Sequence, residues 1–249
     1  LKPCRLIFIS LVIFLLGCIV FDSQAIYFSQ LSFLKGLIIQ FLMLPSVCAS
    51  LLFCCLCLIG ERGYRSINLQ LCQLGDHQPS ANSASQLDIL MYHHEKLTDY
   101  MEDINDCFSC DLVAFLADFT IFLIVMSYIL SRNSPKQFSS ISITLFLFLA
   151  VTYQFKFFII CSCSQQISKQ VKYMRINLLN IQVQWLNHRE QHLESMLADF
   201  SEVVEARPIV VTAAGFTEIN LSLIFKLIGS AVMYASAALQ YHWEYSNDG

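Results

Sequence analysis

Charge is scarce in this chain. Only 14% of its 249 residues are Asp, Glu, Lys or Arg, while 56% are hydrophobic, and the mean hydropathy is +0.57. Soluble globular domains carry about 25% charged residues, so this composition excludes an ordinary soluble globule and indicates an integral membrane protein. The excess of basic charge that a nucleic-acid partner requires is also missing, since the net charge is -4. No small-residue cleavage site follows the first apolar run, so no secretory leader is evident there. A metal ribbon is excluded in the same way: Cys107 and Cys110 form one CxxC, and no second one exists. The 11 cysteines sit mostly in or beside apolar runs and read as reduced thiols acting as small hydrophobes, with neither metal nor cofactor implied. Acylation of Cys54, Cys55 and Cys57 at a cytosolic membrane face is the alternative reading.

Five apolar runs are present: Leu6–Phe21, Leu31–Ile59, Leu112–Leu130, Ile141–Cys163 and Leu221–Leu239. Each is long enough to cross a bilayer as a helix, the first with little to spare. Pro45 is expected to kink the second. The organisation this predicts is all-α: a polytopic membrane protein whose helical bundle extends long helices into the cytosol. Residues 1–65 hold two spans, and 66–85 form a cytosolic loop, most clearly GDHQPSANSAS at 75–85. Residues 86–130 are an amphipathic cytosolic helix that continues into the membrane. Its apolar stripe is Leu90, Leu97, Met101, Ile104 and Phe108, with Asp88, Glu95, Asp99, Glu102 and Asp106 around it. No breaker separates it from the following span. Residues 131–140, with Pro135, make an extracellular turn.

Residues 141–186 are a span continuous with a cytosolic helix. Its seam, Ile167, Val171, Met174, Leu178, Ile181 and Trp185, is spaced 4, 3, 4, 3 and 4. Residues 187–208 form an anchor helix ending before Pro208, and 209–249 hold the final span and a short tail, with Asn220 as the helix cap. Basic residues concentrate before the first span, between the second and third, and between the fourth and fifth. That bias places the N-terminus and the long helical segments in the cytosol and the C-terminus outside.

The last span is not uniformly apolar. Ser222, Gly229, Met233, Ser236 and Gln240 recur at spacings of 7, 4, 3 and 4, so they share one helical face. Such a stripe either packs tightly on other helices or lines water. Three charges fall inside spans: Asp118, Lys156 and Lys226, each about 10 Å from the cytosolic boundary by helical rise. A lone charge at that depth is costly, so Asp118 is expected to pair with Lys156 or Lys226, or else the lysines reach back to the interface.

The stretch from 207 to 241 resembles the insect gustatory receptor family, a branch of the seven-helix arthropod chemosensory receptors. The family pattern Thr-Tyr, five apolar residues, Gln-Phe is similar to Met233-Tyr234, Ala235 to Leu239, Gln240-Tyr241. Upstream, the family's Arg-Pro and Thr-Ala-x-Gly-Phe match Arg207-Pro208 and Thr212-Ala213-Ala214-Gly215-Phe216. Departures are Met233 for Thr, Tyr241 for Phe, and Thr217-Glu218 for Phe-Thr.

The resemblance implies a ligand-gated, non-selective cation channel for tastants in the plasma membrane. Subunits assemble as a homo- or hetero-tetramer. The cytosolic helices form an anchor and the last span lines the pore. Gln240, with Leu239 or Tyr241, would then form the gate, and Ser236, Met233 and Gly229 the pore face. Lys226 lies within about 40° of Gln240 around the helix, which bears on ion selectivity. The ligand pocket implied opens outside; Phe122, Tyr128, Phe146 and Tyr153 are its candidates here. Aligned from its end, the chain holds the third to seventh family spans and begins at Leu1, as expected of an N-terminally shortened member.

Other classes fit less well. A G-protein-coupled receptor needs the opposite orientation, and a transporter usually shows inverted repeats. A non-conducting membrane binding or scaffold protein is the remaining alternative. No enzyme is expected: His93, His94 and Glu95, and the pair His188 and His192, lack further groups and read as solvated cytosolic residues.

Overall fold

The computed structural model describes residues 30–76, 79, 81–132, 140–185 and 191–247, with side chains for 45–76, 79, 82–124, 151, 154–185, 192–237 and 240. The first apolar run, the turn near Pro135 and His188 lie outside the described residues. The elements are α1 (Gln30–Gly75), α2 (Ala81–Arg132), α3 (Ser140–Trp185), α4 (Gln191–Ala206), β1 (Thr212–Ala213), β2 (Thr217–Glu218) and α5 (Leu221–Asn247). The protein is a helical membrane protein, and its helices are long: α1 has 46 residues, α2 has 52 and α3 has 46. Helix is continuous from 86 to 130 and from 141 to 185. Within the described side chains, Pro45–Gly75 and Asn82–Ile124 each contain a stretch apolar enough to cross a bilayer. Only 33% and 17% of those stretches are buried by the protein itself, so their apolar surface needs another cover, which lipid supplies.

The chain divides into two compact units. One comprises residues 55–109 and 163–219. Here four helical segments meet through heptad-spaced seams. In α1, Cys57, Tyr64, Ile67, Leu71 and Leu74 are buried, and in α3 so is the whole stripe from Ile167 to Trp185. From α4, Leu193, Leu197, Phe200 and Val204 face inward while Glu194, Asp199, Glu202 and Glu205 stay outside. Residues 66–75 and 81–85 are therefore helical, against the expected loop over 66–85. Ile67, Leu71 and Leu74 continue the buried stripe of Tyr64 at helical spacing, and that burial outweighs the local turn chemistry.

Two glycines let α1 approach α2. A Cβ at Gly60 would lie 2.5 Å from Met101 Sδ, and one at Gly63 would lie 2.8 Å from Leu97 Cδ2. A polar ladder joins α1 to α3. Asn68 Nδ2 donates to Gln170 O at 2.9 Å and to its Oε1 at 3.1 Å. Asn177 donates to Asn68 Oδ1 at 3.3 Å, and Gln170 Nε2 donates to Glu61 at 3.4 Å. Because Glu61 and Asn68 are both buried, these bonds satisfy groups that water does not reach.

The other unit comprises residues 1–54, 110–162 and 220–249. Its described core centres on Phe119 stacked against Phe157 at 4.5 Å, with Phe115 at 5.8 Å from the same ring. The final helix starts where expected. Asn220 Oδ1 accepts the amide of Leu223 at 3.1 Å, which caps α5.

Candidate functional site

On α5 the packed positions are Leu223 and Ala231, both buried, with Leu227 and Ala235 half-buried beside them. At 100° per residue these four lie opposite the stripe of Ser222, Gly229, Met233, Ser236 and Gln240. Every member of that stripe is exposed, Met233 at 75%. Among the described residues, a Cβ at Gly229 would meet nothing within 4 Å. Ser236 Oγ donates to Val232 O at 2.9 Å, and the side chain is exposed. Lys226 is exposed on the flank of the stripe, and Tyr234 is exposed on the side of Leu223 and Leu227. The side chains of Leu239 and Tyr241 lie outside the described residues.

The motif residues before α5 build a hairpin that the sequence reading did not contain. Thr212 pairs with Glu218 and Ala213 with Thr217. The Phe216 amide donates to Ala213 O at 2.9 Å, and both central residues have positive φ: Ala214 at 48° and Gly215 at 74°. Paired positive φ angles are what a type I′ turn requires, and glycine accepts the second without strain. Thr212 Oγ1 accepts the Gly215 amide at 3.2 Å. Ala213 is buried, whereas Phe216 at the tip is 86% exposed. The visible signal was Ala-Gly between Thr residues, obscured because the apolar run on either side reads as continuous.

Arg207 and Pro208 begin this segment. Arg207 Nη2 meets Asp99 Oδ1 at 3.0 Å, and its Nε meets Glu102 Oε1 at 3.1 Å; Nη2 also reaches Glu102 Oε2. These carboxylates, Glu102 first, hold the guanidinium above its ordinary pKa. One turn further along α2, Asn105 Oδ1 accepts the Thr212 amide at 2.8 Å.

Of the two arrangements expected for the charges within the apolar runs, the ion pair is not the one observed. Among the described residues no ion pair joins Asp118 to Lys156 or Lys226. Lys156 Nζ instead donates to Ser46 Oγ at 2.8 Å and sits 4.5 Å from the centre of the Phe115 ring. Asp118 is exposed and acts on it only through space. A hydroxyl and a ring face thus take the partner role assigned to a carboxylate. Of the pocket candidates, Phe122 is half-buried, and the side chains of Tyr128, Phe146 and Tyr153 lie outside the described residues.

His94 is a second correction. It is 1% exposed rather than solvated, and it lies edge-on to Tyr64 at 5.9 Å and beside Phe200 at 5.8 Å. Among the described residues, neither ring nitrogen has a hydrogen-bond partner. Burial, with the Arg207 charge adding to it, lowers its pKa to about 4. His93 and His192 are exposed as expected. Of the proposed acylation sites, Cys54 and Cys57 are buried and Cys55 is exposed; all are free thiols.

Long, sparsely covered apolar helices and a final helix exposed along a polar stripe define an α-helical integral membrane protein. The chain belongs to the 7tm chemosensory receptor family, whose sequence profile matches residues 2–243. Its fold is similar to that of the insect olfactory receptor OR5 from Machilis hrabei, with a TM-score of 0.80 and 13% identity. The same receptor in complex with eugenol gives a TM-score of 0.79 and 14% identity. Both alignments cover 96% of this chain and 66% of the other, so the chain spans just under two thirds of that receptor's length. No curated protein matches the sequence.

Proposed function

We propose that the chain is a subunit of a ligand-gated, non-selective cation channel of the plasma membrane, a taste receptor whose final helix lines the pore. The observation that carries this reading is the two-sidedness of α5. Leu223, Leu227, Ala231 and Ala235 turn inward, and the stripe of small and polar positions turns out, together with Phe225, Val232 and Tyr234. A stripe left open within one chain is what a shared conduit at the centre of a tetramer needs. Gln240 then forms a polar ring near the outer mouth, flanked by Leu239 and Tyr241. The N-terminus is cytosolic and the C-terminus external, following the basic residues. A small organic ligand is supported by the eugenol complex of the similar receptor.

Patch recording of the full-length receptor, alone and with candidate partner subunits, tests this reading. Ligand-evoked current that Gln240→Ala alters, together with modification of Ser236→Cys by aqueous thiol reagents, is the expected result. Shielding of that thiol in every state, with no current, would favour a non-conducting receptor.

A further inference from the structure

The contacts of Arg207 stand out because of what they hold. The guanidinium spans two carboxylates of α2, Asp99 and Glu102, which lie one helical turn apart on the same face. Asn105, a further turn along, takes the Thr212 amide. Lys96 also approaches Asp99, at 3.8 Å, so that carboxylate is shared between two cations. The segment attached in this way is short and stiff. Arg207 follows the last residue of α4, Ala206, and Pro208 fixes the backbone after it. The hairpin is closed by its own turn and by the Ile219 amide donating to Val211 O at 2.9 Å. The chain passes from that rung to the Asn220 cap and directly into α5. A fork of this kind is geometrically specific, and a lysine does not reproduce it. Yet Arg207 is 39% exposed and its carboxylates 49% and 55%, so water competes for every bond. Such a contact adds little to folding but is well suited to being made and broken.

We propose that Arg207 is a positioning residue for gating: its fork on Asp99 and Glu102 latches the hairpin to α2 and so sets how readily ligand moves α5. This inference rests on the channel reading above. Breaking the latch changes the balance between closed and open states without touching the ligand site or the pore face. Restoring the attraction with reversed charges restores the balance.

The test uses the full-length receptor in three forms: wild type, Arg207→Glu, and Arg207→Glu combined with Asp99→Lys and Glu102→Lys. Two quantities are read. Hydrogen exchange at the Thr212 and Ile219 amides reports the hold on the hairpin. The half-activating concentration of an activating ligand, with the current in its absence, reports gating. Faster exchange in Arg207→Glu, with a shift of half-activation of at least about fivefold, is expected, and both return toward wild type in the charge-swapped form. If Arg207→Glu does not reach the surface, Arg207→Lys takes its place, since it keeps the charge and loses the fork. Faster exchange with unchanged half-activation and resting current overturns the inference and leaves the channel reading standing. Unchanged exchange overturns the latch itself. A wild-type receptor that passes no ligand-evoked current fails earlier and removes both.

Discussion

The hydroxyl of Tyr64 lies 3.2 Å from that of Thr98, with both residues buried. Thr98 donates its own proton to His94 O at 2.9 Å, so Tyr64 is the donor in the pair. This relay ties α1 to α2 in the middle of the helical cluster. Burial raises the phenol's pKa above its usual range, so the hydroxyl keeps its proton and remains a donor at every physiological pH. Tyr64→Phe keeps the ring and deletes the bond. It is expected to cost about 1 kcal/mol, the net worth of a buried neutral hydrogen bond. Thermal unfolding of the purified receptor measures it. Thr98→Val in the Tyr64→Phe background should cost less than Thr98→Val alone, because the shared bond is already gone.

The close approach of α1 to α2 depends on glycine at two positions. At Gly60 an added methyl would press on Met101, which is itself 2% exposed and has little room to yield. Gly60→Ala is expected to destabilise by about 1–3 kcal/mol, as overpacking does in tight cores. Shortening Met101 to Ala relieves the clash, so the double variant should be less destabilised than the two single losses added together. Additive losses would place the steric conflict elsewhere.

His94 makes stability depend on pH, and the sign follows from its surroundings. Tyr64 of α1 and Phe200 of α4 enclose it, Thr98 and Asp99 follow it on α2, and the nearby Arg207 charge disfavours a second cation. The folded pKa of about 4 lies below the ordinary 6.5. Above pH 6.5 both folded and unfolded forms are neutral, and His94 adds no pH dependence. As pH falls from 6.5 toward 4, the unfolded chain takes up the proton and the folded chain does not, so stability is lost across that window and levels off below it. At about 1.4 kcal/mol per pH unit, the full loss is on the order of 3 kcal/mol. His94→Leu should flatten this part of the profile, as read from unfolding midpoints between pH 4 and 7.

Much of the architecture could be read from periodicity. The seam from Ile167 to Trp185 was spaced as a heptad and is buried throughout, and Leu90, Met101 and Ile104 turn inward as their spacing required. Asn220 caps α5 because a short amide side chain precedes an unbroken apolar run. What stayed hidden has a common cause. Tyr64, Ile67, Leu71 and Leu74 continue one stripe, but polar residues between them and the Gly-rich and Ser-rich stretch that follows resemble a loop. His94 is polar in the sequence and core in the structure, because aromatic rings rather than hydrogen-bond partners surround it. The hairpin at 212–218 is too short to leave a strand pattern. The exposed stripe of α5 was legible as a face, but composition does not distinguish a face turned outward from one packed inside.

The Lys156 site gives the sharpest contrast between sequence and structure. The sequence left it either a pairing with Asp118 or a reach back to the interface; the structure gives it the Ser46 hydroxyl and the Phe115 ring. The two arrangements predict different couplings. If Ser46 is the partner, Ser46→Ala leaves the ammonium one bond short. Lys156→Met then removes the group that needed the bond. The pair should be non-additive by about 1 kcal/mol or more, within the range for hydrogen bonds to charged groups. Asp118→Asn should combine with Lys156→Met almost additively, since the carboxylate is exposed and, among the described residues, forms no ion pair with the ammonium. Unfolding midpoints of the purified variants in one detergent supply both cycles. Strong coupling of Lys156 to Asp118 and none to Ser46 would restore the ion pair and overturn the Ser46 contact.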